Sequence, residues 1–127
     1  MTQEQHHVEL VKGIAEQLKP ILAKSGQAIY IYLDDTHKTC NKNFATLLGY
    51  KSVKEWSDTD ARLADVIESN QPAVISAYEN ATEKFEASTI NVAFKHIKTG
   101  ARIKIKMIMV PMAYDGHVFT VQFLSKI

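Results

Sequence analysis

Residues 34–50 read Asp-Asp-Thr-His-Lys-Thr-Cys-Asn-Lys-Asn-Phe-Ala-Thr-Leu-Leu-Gly-Tyr, a stretch that holds three local structures in succession. The acidic pair at its start is typical of a solvated turn. Residues 37–40 then predict a short strand, and Asn41 can cap a helix that Gly49 closes. The stretch therefore predicts a turn, a strand and a helix, as in a mixed α+β domain.

The residues before this stretch predict a helix and then a strand. A helix over about residues 4–24 carries an apolar stripe at alternating steps of three and four, made of Val11, Ile14, Leu18 and Ile21. Pro20 removes a backbone hydrogen bond, so we expect a kink or short break near Leu18 to Pro20. Gln27 to Leu33 is apolar on both faces, which is typical of a strand in the interior of a sheet.

The residues after the stretch predict short helices and then a longer one. One turn is expected at Val53 to Trp56, and a short helix is expected around Leu63, Val66 and Ile67. Asn70-Gln71-Pro72 can open a helix that runs to Lys84. Four side chains share one face of this longer helix: Val74, Ala77, Tyr78 and Ala81.

The C-terminal third predicts three antiparallel strands joined by two hairpins. A two-residue loop at Thr99-Gly100 opposes Phe94 to Ile105, Val92 to Met107, Ile90 to Met109 and Lys95 to Lys104. A three-residue loop, Tyr114-Asp115-Gly116, opposes Val121 to Met109 and Phe123 to Met107. These registers place eight apolar side chains on one face: Ile90, Val92, Phe94, Ile105, Met107, Met109, Val121 and Phe123. The middle helices should cover that face.

The opposite face of this sheet is also partly apolar. It should carry Tyr30 or Ile31, Ile108, Val110 and Val118. Such an apolar area usually needs a cover. The N-terminal helix has an apolar stripe of the right kind to provide one.

The stretch 34–50 resembles the opening of a PAS domain, where an acidic turn and a short strand precede Asn-x-x-Phe-x-x-x-Leu-Gly-Tyr. The matching residues are Asn41, Phe44, Leu48, Gly49 and Tyr50, and Ser-Val-Lys-Glu-Trp at 52–56 is similar to the family's next short helix. The resemblance implies an α+β, PAS-like (profilin-like) fold: a five-stranded antiparallel sheet with short helices on one face and an N-terminal cap helix. We expect residues 1–26 to form the amphipathic cap helix and residues 27–127 the PAS domain.

PAS domains sense small molecules, light or redox state through a cavity between sheet and helices, or serve as dimerisation modules. The resemblance implies a cavity lined by Phe44, Leu48, Tyr78, Val92, Phe94, Ile105, Met107 and Phe123. The same residues can instead fill the core, and we expect them to do so. The stripe of Val11, Ile14, Leu18 and Ile21 repeats at two residues in seven, which predicts a homodimer interface. Alternatively, the helix folds back on its own sheet.

The residues that hold known PAS cofactors do not match this chain. The flavin-binding light sensors carry Asn-Cys-Arg-Phe-Leu-Gln, which is absent here, and the single cysteine, Cys40, precedes Asn41. This position argues against a flavin–cysteinyl adduct. Haem-binding PAS domains usually ligate iron through a histidine on the long middle helix, but residues 72–84 contain none, and Tyr78 is interpreted as a packed side chain. The cofactor, if there is one, is unknown.

No other motif in the sequence indicates catalysis or metal binding. The histidines are His6, His7, His37, His96 and His117, and no cluster of His, Cys, Asp and Glu has zinc spacing. His6 and His7 are expected on a mobile terminus, and Cys40 is interpreted as a small buried hydrophobe. No acyl-transfer or nucleotide-binding motif is present. We therefore expect no metal, no catalytic residue and no enzymatic activity.

Length and composition fit one ordinary domain. The chain has 127 residues, a hydrophobic fraction of 46% and a formal net charge of +1, so no bulk field attracts nucleic acid or a membrane surface. No apolar run is long enough to span a bilayer, and the polar N-terminus lacks a signal pattern. One cysteine fits a reducing compartment. These features predict a soluble, cytoplasmic protein.

We therefore expect a stand-alone PAS sensory and signalling domain that binds a small ligand or a protein partner and acts through homodimerisation. Two alternatives stay open. One is a small enzyme on a ketosteroid-isomerase-like cone fold, and the other is a pure protein-interaction module with a filled core. The enzyme would need an acid or base that projects into its pocket, and none of the side chains expected to face inward is one.

Overall fold

One five-stranded antiparallel sheet organises the chain, of which the computed structural model describes residues 2–60 and 62–127. Its strands are β1 (Ala28–Asp34), β2 (His37–Cys40), β3 (Ser88–Lys95), β4 (Arg102–Tyr114) and β5 (His117–Lys126). They lie in the order β2-β1-β5-β4-β3, so the first strand pairs with the last. The prediction that β1 lies inside the sheet is confirmed.

Helices cover both faces of this sheet. They are α1 (Gln3–Gln17), α2 (Lys19–Lys24), α3 (Lys42–Leu48), α4 (Val53–Asp58) and α5 (Gln71–Lys84), with 3-10 turns at Arg62–Asp65 and Glu68–Asn70. Helices α3, α4 and α5 pack on the inner face, and α1 packs on the outer face. Among the described helices, none has the length and apolar character needed to cross a bilayer.

The N-terminal helix breaks where Pro20 requires it. Thr2 and Gln5 form a reciprocal capping box at the start of α1, and Leu18 separates α1 from α2. Pro20 then occupies the first turn of α2, where its missing N–H costs no helical hydrogen bond. The predicted break near Leu18 to Pro20 is confirmed.

Residues 41–49 fold as their local signals predict. Asn41 caps α3 by accepting a hydrogen bond from the backbone N–H of Phe44. Gly49 ends the helix in the left-handed region, with φ of +89°. A Cβ added at Gly49 would also lie 2.4 Å from the ring of His96, so glycine is required there for two reasons.

The first hairpin has a longer loop than we predicted. The observed pairs are Phe94 with Ile103, Val92 with Ile105, Ile90 with Met107 and Lys95 with Arg102. The register is therefore shifted by two residues, which keeps the apolar side chains on the inner face but changes every partner. The loop is closed by hydrogen bonds from His96 N to Ala101 O and from Gly100 N to His96 O, both 2.9 Å. The His96 ring accepts from the backbone of Lys98 and Thr99, which stabilises this longer loop.

The second hairpin has a shorter loop than we predicted. Asp115 and Gly116 form a two-residue loop with φ of +49° and +77°, the left-handed pair that such a turn needs. Val121 therefore opposes Val110, and Phe123 opposes Ile108. The prediction that these two β5 side chains face inward was wrong.

The outer face explains this error, because it is a second apolar core. That core contains Leu10, Ile14, Ile29, Ile31, Phe119 and Val121. Gln122 and Leu124 occupy the inward positions of β5 instead, opposite Met109 and Met107. Val118 alternates with them and so shares the inner side, contrary to the prediction that it lies on the outer one.

The segment after α4 is a left-handed turn rather than the predicted short helix. Leu63, Ala64 and Asp65 have φ of +46°, +58° and +71° in succession. The chain then passes along the edge of β3, where Val66 forms a bridge with Phe94. Three consecutive non-glycine residues at positive φ store backbone strain, which the surrounding contacts must offset.

Candidate functional site

The space between the inner face of the sheet and α3–α5 is filled by aromatic side chains. The ring of Phe44 lies 4.7 Å from that of Tyr30, 4.9 Å from that of Trp56 and 6.1 Å from that of Phe94, measured between centroids. All four rings are fully buried. Edge-to-face and tilted contacts of this kind stabilise a core beyond the area they bury.

The structure brings together most of the residues predicted to line a cavity. Six of them are buried in this inner core: Phe44, Leu48, Val92, Phe94, Ile105 and Met107. Tyr78 packs against its edge, and its hydroxyl donates to Leu33 O at 2.9 Å. Phe123 does not belong with them, because it packs on the outer face. The seven residues that do meet form a packed wall.

The gap left in this core is smaller than any ligand. It measures about 10 Å³ and lies between Tyr30, Val74 and Met109, with Tyr78 at one side. A single buried water needs roughly 10–15 Å³ of such space. This gap is therefore about the size of one water molecule, and the filled core stays a prediction.

Asn41 joins the sheet to the helical layer. Its Oδ1 accepts from the backbone N–H of Ile29 at 3.1 Å and from that of Phe44 at 3.0 Å. Its Nδ2 donates to Gln27 O at 2.8 Å. The side chain is almost fully buried, so it satisfies three backbone groups that water reaches poorly. The role of Asn41 is thus to hold β1 against the start of α3.

A buried lysine, Lys38, and a half-buried carboxyl group, Asp65, lie beside the core. Lys38 is 3% exposed, donates to the backbone oxygens of Asp35 and Thr59, and lies 4.9 Å from the centre of the Trp56 ring. Burial lowers the pKa of its ammonium group. Asp65 accepts from the Tyr50 hydroxyl at 2.6 Å, and burial raises the pKa of this carboxyl.

The expectation that no ionisable group faces the helical layer was therefore wrong. Lys38 lies on β2, two residues after a turn, and Asp65 lies in the left-handed turn, so neither position carries a sequence signal of burial. Both groups have hydrogen-bond partners within the protein, and neither lines the small gap described above. Their arrangement joins α4 and the left-handed turn to the sheet.

A shallow groove of about 290 Å³ lies between α1, β2 and α4. Its lining includes Val8, Lys12, His37, Thr39 and Ser57. The groove is open to solvent and mixes apolar and polar walls. It is the larger of the two spaces described here, and it lies outside the fold's core.

The predicted dimer stripe packs mainly on its own sheet. Ile14 is buried in the outer core, and Val11 and Leu18 pack against that core. Only Ile21 is exposed, at 46%. The alternative that the helix folds back is therefore the one seen for three of the four residues, and the dimer interface through this stripe stays a prediction.

Helix α1 leaves part of the outer face of the sheet uncovered. Ile108 on β4 is 38% exposed, and its cross-strand neighbour Phe123 is half-buried. Lys106 and Thr89 flank Ile108 on the same face and are exposed. This patch therefore has an apolar centre and a polar rim.

Cys40 is buried in the inner core, as its interpretation as a small hydrophobe predicted. Burial raises the pKa of its thiol to about 12. At pH 8 the native protein should therefore react with a thiol reagent such as DTNB many times more slowly than the protein in 6 M guanidinium chloride, because the thiolate is the nucleophile. Equal rates in the two conditions would contradict this burial.

Solved structures with the same architecture are PAS domains. The chain superimposes on a PAS domain from a two-component sensor histidine kinase with a TM-score of 0.67 at 11% identity, covering 91% of this chain and 98% of that one. The PAS domain of an HTR-like protein from Haloarcula marismortui gives 0.66 at 13% identity, with coverage of 97% and 99%. That of nitrogen regulation protein NR(II) from Vibrio parahaemolyticus gives 0.63 at 16% identity, with coverage of 85% and 95%.

The likeness of this chain to known proteins is seen in its structure and not in its sequence. No protein-family model matches the chain, and no curated protein matches it in sequence. The likeness therefore lies in the order and packing of the elements.

Proposed function

We propose that this chain, which has the PAS fold, is a cytoplasmic signalling domain that acts through protein contacts, as a homodimer, and keeps its core filled. The observation that carries this proposal is the inner core itself, where about 10 Å³ remains between sheet and helices. A sensor that encloses its ligand needs a cavity of some hundreds of Å³. A module that responds to a partner needs only a surface.

The outer-face patch around Ile108 and Phe123 supports a second copy of the chain as the partner. It continues the outer core beneath α1, so a partner that packs there would enlarge an existing apolar layer. Signals would pass between copies as changes in how the two sheets and their N-terminal helices pack. Ile21, which is exposed on α2, would join this interface where α2 also contacts the second copy.

Ile108→Lys is expected to weaken the homodimer about a hundredfold. Each copy loses about 1.5 kcal/mol of apolar burial, and a two-fold interface doubles this loss. The added charge also repels Lys106 on the same face. Sedimentation-velocity analysis over a concentration series measures the dissociation constant.

Ile75→Lys provides the matched control for this experiment. Ile75 lies on α5, remote from the outer face, and is 40% exposed, close to the 38% of Ile108. The control should leave the dimer unchanged, and circular dichroism should show that both variants are folded. A wild-type chain that stays monomeric at hundreds of micromolar would overturn the homodimer proposal.

A small-molecule sensor is the second candidate, and the groove between α1, β2 and α4 is the observation that favours it. Native mass spectrometry of protein purified from its own source separates the two functions. A small molecule that leaves on denaturation supports the sensor, whereas a ligand-free dimer supports the interaction module.

We also propose that the chain is not an enzyme. The enzyme alternative rested on a cone-shaped fold, whereas this chain has the PAS fold. Lys38 and Asp65 lie beside the core, and each is held by hydrogen bonds within the protein, although Lys38 also lines the groove between α1, β2 and α4. An acid–base pair for catalysis needs substrate within hydrogen-bond reach.

A further inference from the structure

Four of the five histidines meet at one place on the surface, where α1 lies against the sheet. His6 and His7 belong to α1, His37 to β2 and His117 to the start of β5. The rings of His7 and His37 lie 5.1 Å apart between centroids, and Nε2 of His6 lies 3.2 Å from Nε2 of His117. His6 and His7 are half-buried on α1, where the sequence analysis expected a mobile terminus.

We propose that His7, His37 and Asp34 bind a divalent transition-metal ion such as Zn²⁺. Each offers one ligand atom, and the three atoms lie within 4.8 Å of one another. Zinc takes imidazole nitrogen and carboxylate oxygen at about 2.0–2.2 Å, so ligand atoms in a tetrahedral site are about 3.3 Å apart. Side-chain movements of about 1 Å therefore suffice to close the site.

The contacts of His37 favour this use of its ring. Nδ1 lies 2.7 Å from Oδ1 of Asp34, and Nε2 lies 2.9 Å from Oε2 of Glu4. A neutral imidazole donates from one nitrogen only. When Nε2 donates to Glu4, Nδ1 carries a lone pair that can bind a cation, and Oδ1 of Asp34 must then move from 2.7 Å to about 3.3 Å from Nδ1 to share that cation. Glu4 then orients the ring from the far side, as carboxylates commonly do for metal-binding histidines.

The charge and access of this site also suit a cation. Among the described residues, Glu4 and Asp34 form ion pairs with His37 but with no lysine or arginine. Backbone N–H groups of Thr36 and His37 donate to Oδ1 of Asp34 at 3.0 and 2.8 Å and so fix this carboxylate in place. Glu4 and Asp34 are both exposed to solvent in part, which leaves a path for the ion.

The site joins two parts of the fold that are distant in sequence. His7 comes from α1, whereas Asp34 and His37 flank the turn between β1 and β2. A bound ion would therefore fasten the N-terminal helix to the sheet, and metal availability would control how firmly that helix is held. Zinc spacing could not reveal this site in the sequence, because His7 is about thirty residues from Asp34 and His37 and meets them only after folding.

Isothermal titration of the metal-free full chain with ZnCl₂ tests this inference. We expect one Zn²⁺ per chain at micromolar affinity or tighter and a rise in the melting temperature. Cobalt(II) should give the visible absorption bands of a low-symmetry site. His7→Gln and His37→Gln should each weaken binding roughly a hundredfold, and Glu4→Gln should weaken it about tenfold.

His117→Gln is the matched control, because His117 belongs to the neighbouring imidazole pair and not to the proposed ligand set. It should change the affinity for Zn²⁺ less than threefold. His7 lies on a helix surface, so its variant keeps the test valid even if His37→Gln destabilises the fold. Absence of binding at 100 µM Zn²⁺, or equal binding by His7→Gln and the wild type, would overturn the proposal.

Discussion

Phe44→Ala is expected to lower the free energy of unfolding by about 3–5 kcal/mol. The Phe44 ring is fully buried and contacts three other aromatic rings, so its removal loses both transfer free energy and packing. Because these neighbours belong to two strands of the sheet and to α4, the core cannot easily collapse into the void. Chemical denaturation followed by the fluorescence of Trp56, the single tryptophan, measures the loss.

The same variant tests whether the wild-type core is filled. Truncation of the ring should leave an apolar void that binds benzene or xenon, whereas the wild type should bind neither. Phe85→Ala is the matched control, because Phe85 is 56% exposed and its truncation should change stability by less than about 0.5 kcal/mol. A loss below about 1.5 kcal/mol at Phe44 would mean that the core is loosely packed.

Asn41→Ala is expected to cost about 3 kcal/mol of stability. The substitution removes a helix cap, worth about 1 kcal/mol, and leaves the N–H of Ile29 and the carbonyl of Gln27 without their side-chain partner. Each unsatisfied buried group adds about 1 kcal/mol or more. Urea denaturation with a constant m-value provides the measurement.

Two further variants separate the contributions of Asn41. Ser52→Ala removes only the cap of α4, where Ser52 Oγ accepts from Glu55 N at 3.0 Å on the surface, so it should cost about 1 kcal/mol. Asn41→Asp keeps both accepted hydrogen bonds but loses the donor to Gln27 O, and its cost should be intermediate. Equal costs for Asn41→Ala and Ser52→Ala would show that the link to β1 adds nothing.

Local signals in the sequence were sufficient to predict helix ends and breaks where a single residue determines the backbone conformation. Asn41 and Gly49 fix the ends of α3, and Pro20 fixes the break between α1 and α2. The order of elements follows from such signals together with the apolar periodicity. The PAS fold that the stretch 34–50 predicted is confirmed by the sheet order and by the solved structures.

The register of β5 could not be obtained in the same way. Alternation shows which side chains share a face, but it does not show which face is the inner one when both are apolar. A cover of the outer face by the N-terminal helix was expected, but the three-residue loop chosen for the second hairpin assigned Val121 and Phe123 to the inner core. The polar Gln122, opposite Met109, is the residue that alternation alone would have placed outside.

The surface sites depended on contacts between distant segments. Lys38 and His37 are adjacent on β2, yet one is joined to α4 and the other to α1. No spacing in the sequence encodes either contact, since both arise from the way the helices pack around a short edge strand. Most residues of the inner core were therefore predictable from the sequence, whereas the contacts of Lys38 and His37 with the helices were not.

The pairing of β1 with β5 determines the order in which the protein can fold. It joins residues 88 to 96 positions apart, from Tyr32 with Thr120 to Ala28 with Leu124, whereas β3, β4 and β5 are connected by short hairpin loops. Closing so long a segment has a large entropic cost that only the completed cores repay, so the C-terminal meander is expected to form first. During synthesis, β1 and its apolar side chains must wait for β5 to leave the ribosome, and for that interval they are the surface a chaperone would bind.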